Sequence, residues 1–301
     1  MDPAIRRIAI LAVGLIGGSL AKGLKARGFN GEIVGWGRRE TSLERALALG
    51  VIDRFSTDLA IAVKDADVVV IATPTQIAEQ MLAQVVPLVP TTTVITDVAS
   101  VKGNLLAAAQ QAFAVVPPNL VLAHPIAGSE QSGVEAARAD LYINHRVILT
   151  PVAQTDAGLL DRVRGMWNAV GAEVVTMSVE DHDTVLAATS HLPHLLAYAL
   201  VDALAGQQQH PDIFRFAAGG FRDFTRIASS DPTMWQEICL ANRAAILAML
   251  DVFDGQLQQL RAAIDHSDGD AVMACFERAK KARDTFTALL ARQNGATITH
   301  E

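Results

Sequence analysis

Residues 6–21, RRIAILAVGLIGGSLA, decide the fold. Residues 6–13 are two arginines followed by a run of apolar, partly β-branched residues. Glycines follow, and then Leu20, Ala21 and Leu24 recur at helical spacing. The order is strand, tight turn, helix. Within the turn, Gly14 and Gly17 match the second and third glycines of the G-x-G-x-x-G dinucleotide fingerprint, while Ala12 stands in place of the first. Gly14 would let a pyrophosphate approach the backbone, beside Leu15 and Ile16 at the helix start, and Gly17 would let the helix pack closely on the strand.

Strand signals continue outward from there. Residues 32–36 form a second strand that ends in Gly37-Arg38-Arg39-Glu40. An NAD-preferring fold carries an acid at this strand end to bind the ribose hydroxyls. Here the acid is missing and two guanidinium groups follow, which suits a 2′-phosphate and favours NADP over NAD. Glu40 turning inward is the rival reading. Residues 67–72 form a strand that is continuously apolar after Asp67, as in a parallel strand buried on both faces, and end at Thr73-Pro74. Residues 93–96 lead to Ser100 and Lys102 in a loop on the ligand side of the sheet, where Ser100 could also cap the next helix. Further strands at 119–123, 146–150 and 173–176, with a helix at 156–170, complete a doubly wound, Rossmann-type parallel sheet over residues 1–178.

The strand at 119–123 runs into HPIAGSEQSG, residues 124–133. A histidine at such a strand end suits proton transfer near neutral pH. His124 alone could equally be a satisfied polar residue. The nucleotide domain before it favours a site, because these folds bind ligands at the carboxyl ends of their strands.

Beyond residue 178 strand signals stop, and residues 179–301 read as an all-helical substrate and dimerisation domain. A helix over 180–205 is interrupted by SHLPH at 190–194. His191 and His194 have metal-ligand spacing, but no third ligand accompanies them. Asp231-Pro232 starts a helix whose apolar positions run from Trp235 to Ile264. That length points to helix packing between two copies, hence a homodimer through the C-terminal helices, with one long helix inside a single domain as the rival reading. Trp235 reads as core. A last helix begins at Gly269, and the tail after Gly295 reads as frayed.

The chain has 301 residues, half of them hydrophobic, and a net charge of -7 without a basic block, which argues against nucleic acid as a partner. Cys239 and Cys275 fit neither a metal site nor a disulfide framework, so a cytoplasmic protein is expected. No charge-free apolar run reaches the roughly 20 residues of a membrane span.

These motifs together resemble the prephenate and arogenate (cyclohexadienyl) dehydrogenase family, over nearly the whole chain. The resemblance rests on GLIGGSLA at 14–21, DVASVKG at 97–103, HPIAGSEQSG at 124–133, SHLPH at 190–194 and GGFRDFTRIASSDPTMW at 219–235. It implies oxidative decarboxylation of a cyclohexadienyl acid to a phenol, with hydride passing to NADP or NAD, as in tyrosine biosynthesis. It implies His124 as the base, with Ser100 bonding near that histidine and the substrate hydroxyl. It implies Arg226 on a substrate carboxylate and His194 holding substrate. Glu130 could meet the amino group of arogenate or gate the site. No fused chorismate mutase or C-terminal regulatory domain is expected, so any tyrosine feedback would act at the active site. Two other classes compete. A 3-hydroxyacid dehydrogenase or imine reductase would leave His124 idle, and a non-catalytic nucleotide sensor would need none of His124, Ser100 and Arg226.

Overall fold

A computed structural model describes Asp2 and residues 4–129, 131–207 and 213–296. The chain forms two compact units, Met1–Ile246 and Leu247–Glu301.

The first unit opens with β1 (Arg7–Leu11), α1 (Leu15–Ala26), β2 (Glu32–Trp36), α2 (Glu40–Ala48), β3 (Arg54–Ser56), α3 (Leu59–Val63), β4 (Val68–Ile71), α4 (Thr75–Val85), β5 (Val94–Asp97), α5 (Gly103–Ala112) and β6 (Leu120–Val121). The six strands are parallel, in the order β3-β2-β1-β4-β5-β6. This is the doubly wound sheet expected from the alternating signals. Short β3 and α3 lay below what the sequence patterning resolved.

Strand β1 shows why such strands are apolar throughout. Ile8 and Ile10 enter a core that includes Leu20 and Leu24 of α1. Ala9 and Leu11 enter the opposite core, with Met81, Leu82 and Val85 of α4. Alternate side chains of a strand point to opposite faces, and helices cover both.

The next strands leave this sheet. Strands β7 (Ala123–Pro125), β8 (Arg146–Leu149) and β9 (Glu173–Thr176) form a second sheet in that order, with β7 antiparallel to β8 and α6 (Ala157–Ala169) before β9. The apolar run at 119–123 therefore splits at Leu122. Its first half completes the large sheet and its second half begins the small one. Asp156 caps α6 through the Leu159 amide at 2.9 Å.

The helical part of the first unit holds α7 (Val179–Leu186), a π-helical turn (Ala187–His191), α8 (Leu192–Ala205), α9 (Gly219–Thr225) and α10 (Pro232–Ala241). Wide turns of this kind recur at functional sites. Pro193, in the first turn of α8, lacks only an N–H that a helix start would not use. Joined end to end, Val179–Ala205 is long and apolar enough to cross a membrane by length and composition, unlike the sequence expectation. Its charge-free stretch, residues 184–201 between Asp183 and Asp202, stops just short of about 20 residues. Its buried histidines, His182 and His191, are hydrogen-bonded inside the first unit.

Asp231 caps α10 as expected, accepting from the Met234 amide at 2.9 Å. The long apolar pattern from Trp235 to Ile264 is two helices rather than one. It breaks at Asn242, whose backbone leaves helical geometry (φ -101°, ψ 32°) and whose side chain reaches the Asp183 carbonyl at 2.8 Å. Helix α11 (Arg243–Asp265) follows the break. The second unit holds most of α11 and α12 (Gly269–Ala296). Its Val252, Leu257, Ile264, Met273 and Phe276 are all more than half exposed. The tail beyond Ala296 lies outside the described residues.

Candidate active site

At the carboxyl ends of β1 and β2 the turn is built as the fingerprint requires. Ala12 sits at φ +72°, a conformation that favours glycine, which is why the first fingerprint position is usually Gly. A Cβ on Gly17 would lie 2.7 Å from Ile10 Cγ2 and 2.9 Å from the Ala12 carbonyl, so only glycine lets α1 sit this close to β1. Gly14 precedes α1 with no side-chain cap, and a Cβ there would meet nothing within 4 Å. The amides at Leu15 and Ile16 thus begin a helix whose positive end is open to an anion. A cavity of about 960 Å³ is lined by Ala12, Gly14, Gly37, Arg38, Arg39 and Pro74, among others. Arg38 and Arg39 are exposed, and Glu40 is the exposed first residue of α2. Thr73, at the end of β4, is buried with its hydroxyl unpartnered among the described residues. The open cradle, the clash-limited Gly17 and the paired arginines fit a dinucleotide.

Strand β5 ends in a buried ion pair. The Asp97 carboxylate accepts from the amides of Ala99 (2.9 Å) and Ala123 (3.0 Å). The Lys102 ammonium bonds Asp97 and donates to the Ala123 carbonyl at 2.7 Å. Both side chains are shut off from solvent, at 0% and 2% exposure. Burial holds the Lys102 pKa down against the opposing pull of Asp97. Lys102 lies in the expected loop but is buried there, and it clamps that loop to the strand carrying His124. Ser100 is half-buried in the clamped loop. It does not cap α5, because Asp183 takes the Lys102 and Gly103 amides at 2.9 and 2.7 Å.

His124 is 8% exposed and pairs with Ile148 across the small sheet. Its Nδ1 lies 2.9 Å from His182 Nε2, and His182 Nδ1 lies 2.7 Å from Asp183 Oδ1. Among the described residues His124 Nε2 has no partner. Burial, then the neighbouring His182, Lys102 and His191, keep the His124 pKa well below the usual histidine range. Burial also lowers His182, against the raising effect of its bond to Asp183. Burial alone would raise Asp183, but the His182 bond and the two backbone amides outweigh it, and its pKa is lowered. His191, pushed down to about 4 by burial, accepts from Asn242 Nδ2 at 3.1 Å. The sequence reading passed over His182, Asp183 and Asn242. The linear signal was an adjacent His-Asp pair in the polar first turns of α7, VEDHDTVL.

His194 donates from Nδ1 to the Ser190 carbonyl at 2.9 Å and stacks on Trp235, ring centroids 3.7 Å apart. Trp235 is thus both core, with Val101 and Ile238, and a platform for His194. The His194 pKa is lowered by burial, opposed by the Ser190 bond and aided by the charge of Arg226. Arg226 is therefore close to His194, at the start of a short turn (Arg226–Ser229), on the exposed side. Glu130 lies outside the described residues.

With this geometry in hand, likeness to known proteins is specific. Residues 20–176 match the family described as prephenate dehydrogenase, nucleotide-binding domain, and residues 178–278 match prephenate dehydrogenase, dimerization domain. A cyclohexadienyl dehydrogenase of Zymomonas mobilis is 38% identical over 92% of this chain and 95% of its own length. The crystal structure of prephenate dehydrogenase from A. aeolicus in complex with hydroxyphenyl propionate and NAD+ superposes with a TM-score of 0.88. It is 35% identical and covers 95% of this chain and all of that one. Arogenate dehydrogenase from Synechocystis superposes with a TM-score of 0.79 at 29% identity, over 93% of this chain and 99% of that one. The protein is a member of the prephenate dehydrogenase family.

Proposed function

We propose that this enzyme oxidises prephenate, L-arogenate or both, giving 4-hydroxyphenylpyruvate or tyrosine with loss of carbon dioxide. The carrying observation is His124: buried, held through Nδ1, and with Nε2 unpartnered among the described residues. Its depressed pKa keeps it neutral, the state a general base needs. The bound nicotinamide supplies the acceptor for the hydride leaving ring C4. His124 Nε2 removes the C4 hydroxyl proton, and Ser100 orients that hydroxyl. The ring carboxylate then leaves as carbon dioxide, its bonding pair completes the aromatic ring, and the phenolate oxygen takes back the proton held by His124. Arg226 and His194 hold the substrate, the guanidinium meeting a carboxylate. Glu130 reads the amino group of arogenate.

The cofactor sits on Gly14, Leu15, Ile16 and Gly17, with Thr73 beside it, and NADP is preferred to NAD. Gly37, Arg38 and Arg39 at the cavity rim support this, since they leave room and positive charge for a 2′-phosphate. Two copies pair through the helices of residues 179–301, with residues 1–178 binding nucleotide. The exposed apolar side chains of α11 and α12 support that pairing. Unpaired Cys239 and Cys275 support a reducing, cytoplasmic setting.

The test is nucleotide reduction with prephenate, with arogenate and with a panel of 3-hydroxy acids. Turnover of the 3-hydroxy acids alone would move the chain to the competing dehydrogenase class. The same assay with NADP and NAD, on wild type and Arg38→Ala, tests the cofactor. The variant should lose most of an NADP preference.

A further inference from the structure

We infer that Asp183 and His182 are positioning residues for His124, forming a chain that fixes which nitrogen of the base is free and stabilises it once protonated. This rests on His124 being the base.

Proton bookkeeping leaves one arrangement. An ionised Asp183 can only accept, so the 2.7 Å contact is His182 Nδ1–H donating to Oδ1. With His182 neutral, its Nε2 is then an acceptor. The 2.9 Å contact is therefore His124 Nδ1–H donating to His182 Nε2. His124 Nε2 is left with its lone pair. When it takes a proton, the positive charge lies one ring away from a carboxylate fixed by two amides at the start of α5. Gly103 permits this closeness, because a Cβ there would lie 2.7 Å from Asp183 Oδ2. The titratable groups facing His124 are His182 and Asp183 from α7, His191 from the π-helical turn, and Lys102 with Asp97 from the end of β5. Of these, His182 alone touches the His124 ring nitrogen, and Asp97 is already neutralised by Lys102.

Two variants at one position separate orientation from mere packing. In His182→Gln the amide oxygen can accept from His124 and the amide N–H can donate to Asp183. In His182→Leu neither bond survives. The Leu variant should lose about 10²-fold or more in kcat, with KM within about threefold. The Gln variant should keep kcat within about tenfold of wild type. Nitrogen-15 NMR of histidine-labelled enzyme without substrate should show His124 protonated at Nδ1 in wild type and Gln, and mixed tautomers in Leu. Equal kcat in the two variants would overturn the inference, as would a wild-type His124 unprotonated at Nδ1. A wild type that turns over neither prephenate nor arogenate would instead strike the proposed reaction, and the NMR result would stand apart from it.

Discussion

Replacing Lys102 with methionine should be among the costliest single changes in the first unit. Methionine has similar length and no charge, so the cavity is filled and the ion pair alone is lost. The Asp97 carboxylate would keep two amide donors but no counter-charge, at 2% exposure. Breaking a buried pair from one side costs about 3–5 kcal/mol. At about 2–4 °C per kcal/mol for a unit of this size, the melting temperature should fall by roughly 6–20 °C. Activity should fall too, because Lys102 also holds the Ala123 carbonyl next to His124. Denaturant titration followed by circular dichroism measures the loss. The double variant Asp97→Asn/Lys102→Met should recover at least half of it, since no charge is then stranded. If Lys102→Met lies within about 1 kcal/mol of wild type, the pair is not the clamp described above.

Gly17→Ala should destabilise by about 1–3 kcal/mol, because the Ala12 carbonyl 2.9 Å from the new Cβ is backbone and cannot swing away; nucleotide titration should show weaker binding as well. Stability should fall as pH drops from about 6.5 towards 4. His191 is depressed to about 4 in the fold, so below the unfolded value near 6.5 only the unfolded chain takes up the proton, and denaturant midpoints against pH should flatten in His191→Gln. His124 has the same sign, so the acid limb of kcat/KM should lie below pH 6.5, and a limb above it would contradict a neutral buried base. Asparagine at 124 should lower kcat by about 10²–10⁴-fold with substrate binding retained.

The large sheet was legible because its strands are buried on both faces and its turn carries glycines that sterics demand. His124 was legible for the same reason: it ends an apolar run. The passage of that run from one sheet to another was not, because nothing at Leu122 interrupts the apolar pattern. Nor was the break at Asn242, which is set by tertiary bonds to Asp183 and His191 rather than by a Gly or Pro. His182 and Asp183 were hidden because their partners lie 58 and about 80 positions away along the chain. Lys102 lies in the loop the sequence indicates, but its burial was not legible, because burial of a lysine depends on a partner that sequence alone does not orient.

The crossing at Leu122 also bears on how the protein breathes. The seam between the sheets is stitched by the Ala123 amide to Asp97, by Lys102 to the Ala123 carbonyl, and by the Thr150 amide to the Leu122 carbonyl at 3.0 Å. Amides on both sides should therefore share one opening event in hydrogen–deuterium exchange, slow and near the global unfolding limit. A strand tied in this way cannot swing out to admit a substrate. The more exposed helix α9 (Gly219–Thr225) should exchange sooner.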